Sequence, residues 1–223
     1  MSAIIQELFE EKGLLHGVLH GIYGKAGTGK TTFAMHITSY YLNQGKDVVV
    51  LDTEHGFFIE RLLQIHRKQE DLQHVHIKKV MELHELRSSI SKLKDFIKEK
   101  QLDLGAVIID SLSNPYRVEL KDQSNIWEIN KAMSHGIFSL KKLALNLKIP
   151  VIATHQVYTD FETGEVEIVG RDLVKYDFKV MVSIEKKDNY RVLELVRHPF
   201  KKPRKVEAVI EEEGFKKKSF KIF

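Results

Sequence analysis

The run Gly24-Lys25-Ala26-Gly27-Thr28-Gly29-Lys30-Thr31 restricts what this chain can fold into more than any other stretch. It has the form GxxxxGK[ST], in which glycines let the backbone curl so that its N–H groups face a polyphosphate. Such a loop requires a strand before it and a helix after it, because the helix N-terminus adds a field that favours negative charge. Both flanks are legible: Val18-Leu19-His20-Gly21-Ile22-Tyr23 is an apolar run, and the segment from Thr32 to about Asn43 has helical character. The backbone from Gly24 to Thr32 is therefore expected to cradle the phosphates of ATP, with Lys30 neutralising them and the Thr31 hydroxyl offered to Mg²⁺.

The rest of the chain alternates in a way that suits this loop. Ile4, Ile5, Leu8 and Phe9 fall on one side of a short helix over residues 4–12, a docking edge. Val48 to Leu51 reads as a buried parallel strand ending at Asp52-Thr53-Glu54, followed by a helix from Phe57 to about Lys68 and a strand from His74 to Val80. From Glu82 to Lys100 the apolar residues Leu83, Leu86, Ile90, Leu93 and Ile97 recur at spacings of three and four, which predicts a helix lying on a sheet. Ala106 to Ile109 is a further buried strand ending at Asp110-Ser111. A long helix with Ile126, Met133, Ile137, Leu140, Ala144 and Leu147 inward follows, and then a strand from Val151 to Thr154 ending at His155-Gln156. Alternation of this kind means a mainly parallel sheet wrapped by right-handed crossovers. Beyond Lys175 shorter runs at 178–185, 190–196, 206–210 and 219–223 predict an antiparallel extension of the same sheet.

Ligands of such sheets sit at the carboxyl ends of the strands, where Gly24, Glu54, Asp110 and Gln156 all fall. Asp110 ends an apolar strand about eighty residues after the phosphate loop. It is the expected Mg²⁺ partner of Thr31, through water. Hydrolysis needs a carboxylate to orient a water opposite the leaving group, for which Glu54 is the first candidate and Asp52 the second. Gln156 is placed to sense the γ-phosphate and move the loop behind it. His155 reads equally as a packed or a functional histidine.

Composition narrows the partners. The 223 residues carry 35 basic and 31 acidic side chains, a net charge of only +4, so any nucleic-acid contact must come from local patches. The chain has no cysteine, which excludes disulfides and thiol chemistry and fits a reducing cytoplasm. The N-terminal stretch carries Glu7, Glu10 and Glu11, unlike a signal peptide, and no apolar run reaches membrane-spanning length, so a cytoplasmic protein without membrane contact is expected.

Taken together, Gly24 to Thr31, Leu51-Asp52-Thr53-Glu54, Glu60-Arg61, Val107 to Ser111, Tyr116-Arg117-Val118-Glu119 and Thr154 to Tyr158 resemble the RecA/RadA-type recombination ATPases, and among them the archaeal RadB-like group. The similarity runs from about Gly21 to Phe215. It implies an α/β fold with a RecA-like P-loop ATPase core, a single domain over 1–223 without a separate N-terminal DNA-binding domain. It also implies that Glu54 activates the water, that Arg61 stacks on the adenine, and that Gln156 links nucleotide state to DNA. The implied function is that of an ATP-binding, weakly hydrolysing accessory factor of DNA repair and homologous recombination. Such a factor binds DNA, single-stranded DNA foremost, and a RadA-type recombinase. It would be a monomer or small homo-oligomer, since too few residues precede Gly24 for a polymerisation tether. A non-hydrolysing ATP-dependent binding module and a KaiC-like signalling ATPase are the alternatives.

Two departures from that pattern bear on DNA. The segment matching the second DNA loop of recombinases, between Gln156 and Tyr176, holds Asp160, Glu162, Glu165, Glu167 and Asp172 against Arg171 and Lys175, and acids repel phosphates. His155 stands where recombinases more often have Asn. The candidate DNA patch is instead Arg197, Lys201, Lys202, Arg204 and Lys205 around Phe200, whose ring could stack on a base. A solvated basic edge is the other reading of these residues. Lys216, Lys217, Lys218 and Lys221 form a second basic run with the same two readings, and Tyr116 and Arg117 either touch DNA or pack.

Overall fold

The computed structural model describes residues 3–10, 13–120, 125–159, 166–169, 174 and 176–218. A short helix α1 (Ala3–Phe9) precedes β1 (Leu19–Gly24), α2 (Lys30–Leu42), β2 (Asp47–Asp52) and α3 (Ile59–His66). A 3-10 turn (Gln69–His74) leads into β3 (Val75–Lys79), α4 (Leu83–Glu99), β4 (Leu104–Asp110), α5 (Ser113–Glu119) and α6 (Ile126–Leu147). The chain then forms β5 (Val151–Thr159), β6 (Val166–Ile168), β7 (Phe178–Lys186), β8 (Arg191–Arg197), β9 (Arg204–Glu211) and β10 (Gly214–Lys217).

The strands lie in the order β10-β9-β8-β7-β1-β5-β4-β2-β3, with β6 paired to β5. The pairs β2/β3, β2/β4, β4/β5, β1/β5 and β1/β7 are parallel, whereas β7/β8, β8/β9 and β9/β10 are antiparallel. The first C-terminal run is thus the junction strand, parallel to β1 on one edge and antiparallel to β8 on the other. The last antiparallel strand is Gly214–Lys217, and the expected strand at 219–223 lies outside the described residues. The helix expected from Phe57 to Lys68 is shorter, ending at His66 with Arg67 in the left-handed region.

Each face of the sheet carries its own core. On one face α2 is apolar almost all round, burying Phe33, Ala34, Met35, Ile37, Tyr41 and Leu42 between the strands and α1. On the other, the stripe Leu83, Leu86, Ile90, Leu93 and Ile97 of α4 is buried as its spacing predicts, each side chain contributing ~1.5–3 kcal/mol of apolar transfer. In α6 the buried series begins at Ile129 and runs through Met133, Ile137, Leu140 and Ala144, while Ile126 in the first turn is 47% exposed and Leu147 half-buried.

Candidate functional site

The loop between β1 and α2 has the conformation its glycines predict. Gly29 adopts φ 103°, which an L side chain rarely takes, and a Cβ there would also press on Ile210 and Phe215 at 2.8 Å. At Gly24 the constraint is space, since a Cβ would meet the Ile184 carbonyl oxygen at 2.3 Å. Lys25, Ala26 and Gly27 are exposed at the crest, whereas Thr28 is buried and its hydroxyl donates to the Lys25 carbonyl at 3.0 Å. Thr31 and Thr32 open α2. The Lys30 ammonium donates to the carbonyls of Gly24 and Lys25, both at 3.0 Å. Burial lowers its pKa from the usual lysine value, and the carboxylates of Glu54 and Asp110 oppose that fall.

Asp110 lies at the tip of β4, one strand removed from β1, and is 1% exposed. Its Oδ1 accepts the Thr154 hydroxyl, while Oδ2 is buried with no hydrogen-bond partner among the described residues. Burial pushes its pKa up to about 6, against the pull of the Thr154 and Thr31 hydroxyls. An orphaned carboxylate oxygen beside a threonine hydroxyl and a lysine is a hard oxygen donor set of the kind that Mg²⁺ takes. The residues present therefore fit the ion, and Thr31 and Asp110 would hold it.

The loop after β2 is tied to this strand tip by its backbone. The N–H groups of Thr53 and Glu54 donate to the Asp110 carbonyl at 2.8 and 3.3 Å, the Thr53 hydroxyl exchanges hydrogen bonds with Ser111, and Asn114 donates to the Thr53 carbonyl. The peptide between Asp110 and Ser111 is cis. Asp52, the second carboxylate candidate, accepts the N–H groups of Gly56 and Phe57 and so caps the turn. Glu54 is exposed, and its Oε1 accepts the Ser111 hydroxyl at 2.6 Å and the Gln156 amide at 3.1 Å. Gln156 is held at both ends, because its Oε1 accepts Arg117 at 2.7 Å and its backbone N–H donates to the Ser113 hydroxyl.

Sequence reasoning found Glu54 and Gln156 but not their connection. Ser111, Ser113 and Arg117 complete it. Ser113 and Arg117 stand four apart on α5, a spacing that puts them on one face, and Ser111 follows the strand-ending acid directly. Tyr116 packs inward, its hydroxyl donating to Asn130 at 2.6 Å. His155 is fully buried, edge-on to Phe178 at 4.9 Å with both ring nitrogens unpartnered among the described residues, and burial drops its pKa to about 3. It is a neutral core side chain.

Arg61 lies farther out. Its guanidinium donates to the carbonyls of Glu211 and Glu212, and to Gln64, so it clasps the turn between β9 and β10. The expected DNA patch is largely engaged with acids and carbonyls. Lys201 donates to the Phe9 carbonyl and pairs with Glu10, Arg204 donates to the Glu7 carbonyl and pairs with Glu10, and Lys205 pairs with Glu194 at 3.3 Å. Arg197 donates to the Phe178 carbonyl at 3.4 Å, and Lys202 is exposed. Lys216, Lys217 and Lys218 pair with Glu211, Glu7 and Glu207. Of the second DNA loop, 160–165, 170–173 and 175 lie outside the described residues, as does Lys221.

The family model described as Rad51 matches residues 2–216. Among relatives, the DNA repair and recombination protein RadB of Thermococcus sibiricus is 34% identical over 195 residues, covering 85% of this chain and 81% of that protein. The RadB protein of Pyrococcus horikoshii is 35% identical, with 85% and 80% covered. The crystal structure of the RadB recombinase superposes with a TM-score of 0.77 at 30% identity, over 93% of both chains.

Proposed function

The chain belongs to the Rad51 family, and from that premise we propose that it is an ATP-binding, weakly hydrolysing accessory protein of DNA repair and recombination, which binds DNA and modulates a RadA-type recombinase. The observation that carries the nucleotide part is convergence. Lys30, Thr31, Asp110, Glu54 and Gln156 come from four separate segments and meet at neighbouring strand tips, three of them around carboxylates.

In this reading the P-loop backbone and Lys30 bind the phosphates. Thr31 and Asp110 would hold Mg²⁺, which when bound would supply positive charge to the phosphates. Glu54 orients the attacking water. Its Oε1 is engaged by Ser111 and Gln156, which leaves Oε2 without a protein partner among the described residues. Arg117, Gln156 and Glu54 form one hydrogen-bonded row, so a change at the γ-phosphate felt by Glu54 is passed through Gln156 to β5 and the loop behind it. Arg61, held at the β9–β10 turn, would stack on the adenine as the family resemblance implies. Turnover is slow because in RecA-type assemblies a neighbouring subunit supplies charge to the nucleotide, and a monomer or small oligomer in the cytoplasm lacks that charge. Among the described residues, no helix is long and apolar enough to cross a membrane.

Single-turnover ATP hydrolysis by the wild type, Glu54→Gln and Lys30→Ala tests this. The expected order is wild type fastest, with Glu54→Gln slower by about 10²–10⁴-fold in the catalysed component. Equal background rates in all three would leave only the non-hydrolysing module.

A further inference from the structure

The helices α4 and α6 lie side by side, with Ile90 of one facing Gly136 of the other. Each turns an exposed row outward. On α4 the row is His84, Arg87, Ser91, Lys94 and Lys98, at spacings of three and four. On α6 it is Trp127, Lys131, His135, Phe138, Lys142 and Leu145, at the same spacings. Neither row contains an acid. Among the described residues no carboxylate stands within ion-pair distance of Arg87, Lys94, Lys98, Lys131 or Lys142, in contrast to the engaged cations of the 197–205 patch. Trp127 is 66% and Phe138 67% exposed, and Lys131 sits 4.4 Å from the centre of the Trp127 ring. Between the rows runs a shallow groove of about 610 Å³ lined by Arg87, Ser88, Ser91, His135, Phe138 and Ser139. Acids border the face without pairing with its lysines or arginine: Glu82 pairs with His84 at 2.9 Å, Asp95 and Glu99 are exposed farther along α4, and Glu119 and Glu128 lie at the α5 end.

We propose that this two-helix face is a docking surface for single-stranded nucleic acid. The inference rests on the DNA-binding part of the reading above and gives it a location. Unpaired cations spread along two rows form a track for a phosphate backbone, and two exposed rings ~16 Å apart along α6 offer platforms on which bases of any sequence stack. A protein partner anchored by apolar side chains would need a deep apolar pocket. This groove is shallow and lined mostly by hydroxyl, imidazole and guanidinium groups. Charge complementarity therefore selects a polyanion, and the exposed rings select one with bases.

Trp127 is the single tryptophan of the chain, so its fluorescence reports this face directly. The test titrates the full chain with oligothymidylate, following Trp127 emission together with the anisotropy of labelled oligonucleotide over a range of salt. Quenching should track binding. The variant Arg87→Ala, Lys94→Ala, Lys131→Ala, Lys142→Ala should bind at least about tenfold more weakly, with the slope of log affinity against log salt smaller by about three, since each single-strand phosphate contact contributes ~0.7. Phe138→Ala, a single exposed substitution, should weaken binding and leave that slope unchanged. Binding without a Trp127 signal, or an unchanged salt slope in the four-fold variant, overturns the location while DNA binding stands. No binding by the wild type removes the DNA-binding reading itself. Quenching by polyglutamate but not by oligothymidylate overturns the proposal in favour of an acidic protein partner.

Discussion

Acidification should destabilise this fold from near neutrality, above the range where ordinary carboxylates titrate. Burial lowers the pKa values of three histidines, His20, His36 and His155, from 6.5 to about 4, about 4 and about 3. The sign follows from linkage: between these values and 6.5 the unfolded chain takes up protons that the folded chain refuses, so stability is intact above 6.5 and falls as pH drops below it. From about pH 7.5 to about pH 5.5 each histidine removes ~1.4 kcal/mol, a total of about 4 kcal/mol. Asp110 acts in the opposite sense. Its folded pKa is raised to about 6, so it takes up a proton first in the folded state and returns about 1 kcal/mol over the same interval. The expected net loss is about 3 kcal/mol, a large fraction of a typical domain stability of about 5–15 kcal/mol. Urea unfolding of the nucleotide-free and metal-free protein at the two pH values measures it as a lower midpoint at unchanged slope. His155→Leu provides attribution: both ring nitrogens lack partners among the described residues, so the substitution should not weaken the fold near neutrality and should remove about 1.4 kcal/mol of the pH dependence. Superimposable curves at both pH values would refute the reasoning.

Gly24→Ala should shift the phosphate loop, because its Cβ meets the Ile184 carbonyl at 2.3 Å; nucleotide affinity should fall and the fold lose about 1–3 kcal/mol, read by calorimetry and urea unfolding. Arg61→Ala should free the turn it clasps at Glu211 and Glu212, which hydrogen exchange would detect as faster exchange in β9 and β10, and protection equal to wild type would count against the clasp. Replacing Lys201 and Arg204 together by Ala should loosen α1, seen as faster proteolysis near Phe9, while leaving oligothymidylate affinity close to wild type. A large loss of affinity in that variant would restore the 197–205 patch as the DNA site. Gln156→Ala should leave ATP binding intact and abolish any effect of DNA on hydrolysis, measured as the ratio of rates with and without oligothymidylate.

The proposed nucleotide site was legible because its signals are local. A phosphate loop, a strand-ending acid and a glutamine at the end of an apolar run each announce themselves within a few residues, and parallel topology sets Gln156, inside the longer β5, level with Gly24 at the tip of β1. What stayed hidden depends on contacts between distant residues. The sequence ranks Glu54 ahead of Asp52 without giving Asp52 a task, and only the turn geometry shows that Asp52 caps Gly56 and Phe57 while Glu54 is exposed. Arg61 meets carbonyls 150 and 151 residues away, and the basic run near 201 finds its acid in α1, so neither pairing has a period or spacing to reveal it. The rows on α4 and α6 are written in the sequence as the outward complement of their buried stripes. Their meeting on one face follows only from the packing of the two helices.

The central proposal for this chain is that a triphosphate lodges between the β1–α2 loop and the acidic strand tips. Isothermal calorimetry of the full chain with Mg²⁺ and a non-hydrolysable ATP analogue, beside Lys30→Ala, tests that claim most directly. Saturable single-site binding by the wild type that is weakened at least about tenfold, or ~1.4 kcal/mol, in the variant is the predicted result. No heat of binding, or the same affinity in both proteins, would contradict it.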